Sequence, residues 1–513
     1  MRANRLYNFA ILSGLLCGLT GCALSPEPLQ PSEISTLASD AVQRIDVGQE
    51  PISGPIDLYE AMARALKYNL DHRVEVVEAS LRVEEAQLAR FDLLPNVVAN
   101  TGFAERNKFN ASSSIQVLPG DVAGPQSLVN STSSEKRNWT NDVTFGWNVL
   151  DFGLSYIRAK QASDKYLIAE EMRRKVAHRI VEDVRTAYWR AVSSDRLLTK
   201  LRTLERRIDR VRRDSDEISA DRQTSPITAV TYARELIEIK RTIEEIERDL
   251  VVSRTQLASL MNIPPGTNFK LANPVRSARD LAPDLNVQSL IYQSLTNRPE
   301  LREVWYQKRI NQAELDAALL ELLPGFQVFA GTNYDSNEFL FNSNWLSWSA
   351  RASWNAMRVF QYPRKRSVVE AQEALLDERS LAVAMAIITQ VHVSRIRFLQ
   401  FRKEIETAND YLSVQRKLVD LLKDEAQAAR VSEQTLLREE MNALVAETRR
   451  DIAYASLQNA FANIYASIGT DPIPIEFTQS MSVQDVAASL RSMWIERGDH
   501  SSGKARTAQA DVN

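Results

Sequence analysis

Glycine and proline are scarce in this chain, 16 and 18 among 513 residues. Both interrupt helices, so their scarcity favours long unbroken ones. Cysteine is scarcer still. Two cysteines, Cys17 and Cys22, exclude a disulfide framework, and the four scattered histidines (His72, His178, His392 and His500) give no metal-ligand spacing. A formal net charge of -3 leaves no basic bias toward nucleic acid. No interior run supplies the roughly 20 consecutive apolar residues of a spanning helix. The chain also lacks a nucleotide-binding loop, a nucleophile–base pair and a Ser/His/Asp constellation. It therefore reads as a non-enzyme with no cofactor and no metal.

The N-terminus carries information about location. Arg2 and Arg5 precede an apolar stretch from Phe9 to Leu19, the pattern of a secretory signal. It ends in Leu19-Thr20-Gly21-Cys22, which resembles the bacterial lipobox; that resemblance implies a signal peptide over 1–21 and acylation of Cys22. Acyl chains anchor at about 0.8 kcal/mol per buried CH₂. Ala23, where inner-membrane retention favours Asp, points to the outer membrane of a Gram-negative cell. Residues 22–56 hold Pro26, Pro28, Pro31, Pro51 and Pro55 and are predicted to form a lipid-anchored extended linker.

The rest of the chain repeats itself. Leu66 to Pro95 and Leu295 to Pro324 align without a gap at an offset of 229, sharing Arg73/Arg302, Glu85/Glu314, Ala89/Ala318 and a Leu-Leu-Pro stop. The repeats are expected over 57–285 and 286–475, followed by a partly disordered tail over 476–513. Helical periodicity starts after Asp57, a good N-cap, and runs to Leu94, where Pro95 ends it.

After each stop the period changes to two. From Trp139 to Val149 apolar and polar residues alternate, broken only at Asn141; Trp348, Ala350, Ala352 and Trp354 alternate with Ser347, Ser349, Arg351 and Ser353. Val97, Ala99 and Phe103, and later Phe326, Val328 and Ala330, mark partner strands. Five of the eight tryptophans (Trp139, Trp147, Trp345, Trp348 and Trp354) fall in these stretches, as expected of aromatic belts on a membrane barrel wall. The loop Asn107 to Arg137 is much longer than its counterpart around Ser336 to Leu346, and both are expected on the outer face.

Long helices follow. Tyr156 to about Ala220 has no Pro or Gly, and roughly 60 residues would reach about 90 Å. Leu236, Ile239, Ile243, Ile246, Leu250, Ser253 and Leu257 alternate by 3 and 4, the spacing of a narrow coiled-coil seam. Ile388, Val391, Phe398, Ile405, Leu412 and Val419 make a similar stripe in the second repeat.

Helix, two strands and a long hairpin, duplicated behind a lipobox, resemble the TolC family of outer-membrane efflux proteins. Local matches are Ala65-Leu66-Lys67-Tyr68-Asn69, Leu93-Leu94-Pro95 and Trp147-Asn148-Val149-Leu150-Asp151-Phe152-Gly153. The resemblance spans roughly 57–475. It implies an α+β membrane protein in which four β-strands per chain contribute to a trimeric 12-stranded β-barrel, with coiled-coil hairpins forming a periplasmic α-barrel. The resemblance implies a homotrimer, and physics supports partner chains independently, because four strands cannot close a barrel and lipid forbids an open sheet edge.

The resemblance further implies an exit duct of a tripartite efflux or type I secretion system, fed by a periplasmic adaptor and an inner-membrane pump. Adaptors would dock at the hairpin tips, where Arg222 and Arg430 are kept but Thr224 and Ser432 replace the family's Gly. Ser225 and Pro226 suit an N-cap and first helical position there. Pore-closing side chains lie just past the second tip, making Glu433 and Glu440 the gate candidates; Arg438 and Met441 occupy the positions where the family has Asp. Seven residues apart, the two glutamates share a helical face, and threefold symmetry would make them carboxylate rings. The competing reading is a non-conducting outer-membrane lipoprotein tether spanning the periplasm, which has no need of alternating aromatic strands.

Overall fold

A computed structural model of the chain describes residues 28–45, 47–113, 117–118, 121–122, 129–220, 226–264, 266–274, 281–428, 430–474, 478 and 480–499. Two compact units emerge, Met1–Pro51 and Ile52–Asn513. Cys22 lies outside the described residues.

In the first unit the predicted extended linker is corrected: Pro31–Arg44 (α1) is a helix. Pro31 sits at its start, where a missing N–H and a fixed φ suit helix geometry. The Glu33 carboxylate accepts the Gln30 backbone N–H at 2.8 Å and closes that end.

The second unit contains the duplication. Its first half runs α2 (Leu58–Tyr68), α3 (Leu70–Phe91), β1 (Asn96–Glu105), β2 (Arg137–Asn148), α4 (Val149–Ala220) and α5 (Pro226–Leu260). Its second half runs α6 (Val287–Asn297), α7 (Pro299–Leu320), β3 (Gly325–Asp335), β4 (Asn344–Ser353), α8 (Met357–Gln427) and α9 (Glu433–Ser467). A last helix, α10 (Val483–Glu496), follows. Helices α4 and α8 have 72 and 71 residues, and α5 and α9 have 35 each. The offset of 229 holds at Leu58/Val287, Leu70/Pro299 and Asn96/Gly325. It falls to 207 at Pro226/Glu433 and Leu260/Ser467 because the first loop between strands is the longer one.

The single helix predicted from Asp57 to Leu94 is two helices, broken at Asn69. Asp57 caps the first by accepting the Glu60 N–H at 2.8 Å. Asn69 caps the second and also donates to the Leu260 carbonyl at the end of α5. The second half breaks likewise at Arg298, whose guanidinium donates to the Ala466 carbonyl at the end of α9 (2.8 Å). Each short helix pair is thus stacked on the end of its own hairpin. The turns beneath match too: Asn262 and Gly469, 207 apart, both have positive φ. At Gly469 a Cβ would lie 2.7 Å from Asn297 and Arg298 backbone atoms, so only glycine fits.

One core gathers α2, the α4 stretch around Trp189, the ends of α5 and α9, and α10. Within the segment expected to be a partly disordered tail, α10 is therefore a core helix, with Trp494 only 1% exposed. A second core lines α4 against α5 and α9 through Leu197, Leu201, Ile208, Leu236, Ile243 and Leu437, which bears out the heptad spacing of α5. By length and composition alone α8 could cross a membrane; 22% of its apolar window is buried, including Ile387, Val391 and Phe398.

Candidate channel wall and tunnel tip

The four main strands form one antiparallel sheet in the order β1-β2-β3-β4. Register fixes which side chains share a face. Val97, Phe145, Ala330 and Trp348 form one row, and Asn100, Asp142, Asn333 and Trp345 form a row on the opposite face. Polar side chains of that second face bond to one another: Asn100 donates to Asp142 (2.9 Å), Thr144 to Asp142 (3.1 Å) and Asn333 to Ser347 (2.8 Å).

On the two central strands, β2 and β3, the exposure of the two faces is inverted relative to a sheet folded in water. Along β3 Phe326, Val328, Ala330, Thr332 and Tyr334 are exposed, while Gln327, Phe329, Gly331, Asn333 and Asp335 on the other face are half-buried. Trp348 is 80% exposed and Trp354 60%. Trp139, Trp147 and Trp348 lie on this bare apolar face, with Trp139 packed against Phe103 at 4.9 Å between centroids, and Trp354 follows the end of β4. Trp345 does not. It was expected in the aromatic belt, but it pairs with Asn333 and so projects from the polar face.

The long first loop rests on the short second one. Asn337 accepts the Glu135 N–H (3.3 Å) and donates to the Ser133 carbonyl (2.8 Å), and Ser336 accepts the Trp139 N–H (2.8 Å).

Away from the sheet, α4 and α9 are joined by a ladder of ion pairs. Arg207 of α4 binds both gate candidates, Glu433 at 3.1 Å and Glu440 at 2.6 Å. Glu447, 4% exposed, is reached by Arg196 (3.2 Å), Lys200 (3.1 Å) and Arg416 of α8 (3.2 Å). Asp451, 1% exposed, also pairs with Arg196. Beside the ladder, burial pushes the Glu439 carboxyl up, but hydrogen bonds from Gln415, Asn442 and Arg438 outweigh it and hold the group below its usual range.

No protein-family model matches the sequence, and no curated protein does. Solved structures do match. The Campylobacter jejuni CmeC outer membrane channel superposes with a TM-score of 0.64 at 12% identity, over 93% of this chain and 99% of that one. CusC gives 0.61 at 17%, over 87% and 100%. The open state of the Neisseria gonorrhoeae MtrE outer membrane channel gives 0.60 at 15%, over 87% and 98%. The fold is that of the TolC-type outer-membrane channels.

Within this TolC-type fold the predicted tip residues can be placed in part. Arg222, Thr224 and Ser225 lie outside the described residues. Pro226 opens α5, as its sequence position suggests. Arg430 is exposed and approaches Glu425 at 3.5 Å. Ser432 is the N-cap of α9, accepting the Thr435 N–H at 3.3 Å, so the residue that replaces the family's glycine starts a helix. Glu433 and Glu440 do share a face, but they share it with Glu447, at the same seven-residue spacing. Arg207 and Lys200 repeat that spacing on α4. The matched heptads were a readable signal; which helix faced which was not.

Proposed function

We propose that the chain is one protomer of a homotrimeric exit duct in the outer membrane. It would be anchored through acylated Cys22 and fed by an inner-membrane pump through a periplasmic adaptor docked at the Arg222/Thr224 and Arg430/Ser432 tips. The bare apolar face of the four-stranded sheet carries this reading. Central strands that expose the face carrying Trp139, Trp147 and Val328 and mostly half-bury the opposite one suit lipid on one side and water on the other. A tether has no use for them. CmeC and MtrE are described as outer membrane channels, which supports the same reading.

The helices supply the second support. In the chain, Leu437 and Leu444 of α9 pack against α4. Their equivalents 207 residues earlier, Val230 and Ile237 of α5, are 70% and 54% exposed. The matching surface of α8 is bare as well, at Tyr411, Val414 and Leu418. What α4 and α9 do within one chain, α8 and α5 would do between neighbouring chains. Two different edges that fit each other make a head-to-tail contact, the kind that generates a ring where the rotation between subunits closes. Purified protein is expected to run as a heat-sensitive trimer in detergent and to form ion channels in planar bilayers. A stable monomer without conductance would overturn the duct.

For the gate, Arg207 gives Glu433 and Glu440 a defined role, holding the second hairpin against the first. Arg207→Ala should leave both carboxylates unpaired and raise open-channel conductance and cation selectivity several-fold. Glu433→Gln with Glu440→Gln should raise conductance without the gain in selectivity. If neither variant alters single-channel recordings, these residues are not the gate.

A further inference from the structure

The long helices lie side by side in the order α5, α4, α9, α8. Helix α4 turns Ile180, Val184 and Tyr188 into the core, and a recess of about 650 Å³ opens on the side turned away from them. Its margins include Asp183 and Arg190 of α4, Leu260 of α5, Asn459 of α9, and Arg397 and Phe401 of α8. That volume is in the range of small-molecule sites.

Two arginines line this recess, Arg190 and Arg397. Helix α4 commits Arg179 to Asp71, Arg185 to Asp499, Arg196 to Asp451 and Arg207 to Glu440, each acid coming from outside α4. Arg190, in the same stretch, has no hydrogen-bond or ion-pair partner among the described residues, and neither has Arg397 across the recess. Both are exposed. Guanidinium groups stay charged and offer a planar fork of donors suited to carboxylate or sulfonate.

One carboxylate shares the lining with them, that of Asp183. Burial raises Asp183 above its usual range, partly offset by Arg179. Burial likewise pushes the adjacent Glu182 up to about 7, against the pull of a hydrogen bond from Asn463. Apolar contact is available at Phe401 and Leu260.

We propose that this recess is a holding site for amphipathic organic anions, with the acid group on Arg190 and Arg397 and the apolar body against Phe401 and Leu260. Access for cargo in transit rests on the duct reading, in which this side of α4 faces the tunnel; binding itself does not. The test is calorimetric titration of naphthalene-2-sulfonate into the full-length detergent-solubilised protein. Saturable binding of one anion per chain is expected, weakened at least about tenfold in Arg190→Ala/Arg397→Ala and largely kept in Arg190→Lys/Arg397→Lys. Naphthyl-trimethylammonium, of similar size and opposite charge, should not bind. Absence of saturable binding to the unsubstituted protein, equal affinity in the double alanine variant, or equal binding of the cation would each overturn the site. Conductance recorded on the same preparations judges the duct separately, so failure of one is not mistaken for failure of the other.

Discussion

Asp499→Ala is expected to lower the unfolding free energy by about 3–5 kcal/mol, the usual cost of removing one partner from a fully buried ion pair. Arg185 and Asp499 have no solvent-exposed side-chain surface. The guanidinium also donates to Gln458 at 2.9 Å and stacks on Trp494, 4.4 Å from the ring centroid. Asp499 is delivered to this place by the end of α10. Gly498, at φ 86°, turns the chain where a Cβ would lie 2.5 Å from the Ala282 carbonyl oxygen. Its own carbonyl accepts the Ala282 N–H at 3.0 Å. Without the carboxylate, α4 keeps a buried cation that neither water nor another acid can reach. Asp499→Asn should cost nearly as much, because the amide fills the space but not the charge. Arg185→Met with Asp499→Leu should return to within about 2 kcal/mol of the unsubstituted protein, since an apolar pair of similar volume removes both desolvation costs. Chemical melts followed by circular dichroism in detergent would measure all three. A loss below about 1 kcal/mol for Asp499→Ala would mean that the buried pair does not hold the last helix to the core.

That pair also marks a limit of what the amino-acid sequence could tell. The duplication was legible because it is written in local chemistry. Asp57 and Asn286 cap equivalent helices, the Leu-Leu-Pro stops recur, and the alternation around Trp147 and Trp354 distinguishes strand from helix. The heptads of α5 likewise reveal a seam. What escaped depends on residues brought together from far apart. The break at Asn69 is fixed by a carbonyl 191 residues away and the buried Asp499 by an arginine 314 away. The two gate candidates were visible as a seven-residue repeat, but Arg207, 226 residues from Glu433, turns two candidate ring charges into one interhelical clasp. In the N-terminal linker, Pro31 counted toward extended chain when it is one of the few prolines that a helix accommodates. Trp345 shows that composition places an aromatic near a membrane without telling its side; only the pairing with Asn333 does that.

The sidedness of the sheet permits the sharpest test of the wall, using two neighbouring residues. Ala350 pairs with Val328 on the bare apolar face, and Ser349 pairs with Phe329 on the other. Both are solvent-exposed in the isolated chain, so in a water-soluble protein arginine at either position would be close to neutral. In a barrel wall the two substitutions part company. Ala350→Arg puts a cation into hydrocarbon at mid-strand, at a cost of about 2–4 kcal/mol per chain near the midplane, and a trimer meets that cost in every copy. Membrane insertion and the heat-sensitive trimer should both be lost. Ser349→Arg faces the aqueous side, two residues before the native Arg351 on the same face. It should insert normally, keep the trimer, and show itself only as lower conductance and a shift toward anion selectivity. Equal tolerance of both substitutions would remove the barrel, because no lipid-facing surface accepts a charge as readily as its water-facing neighbour.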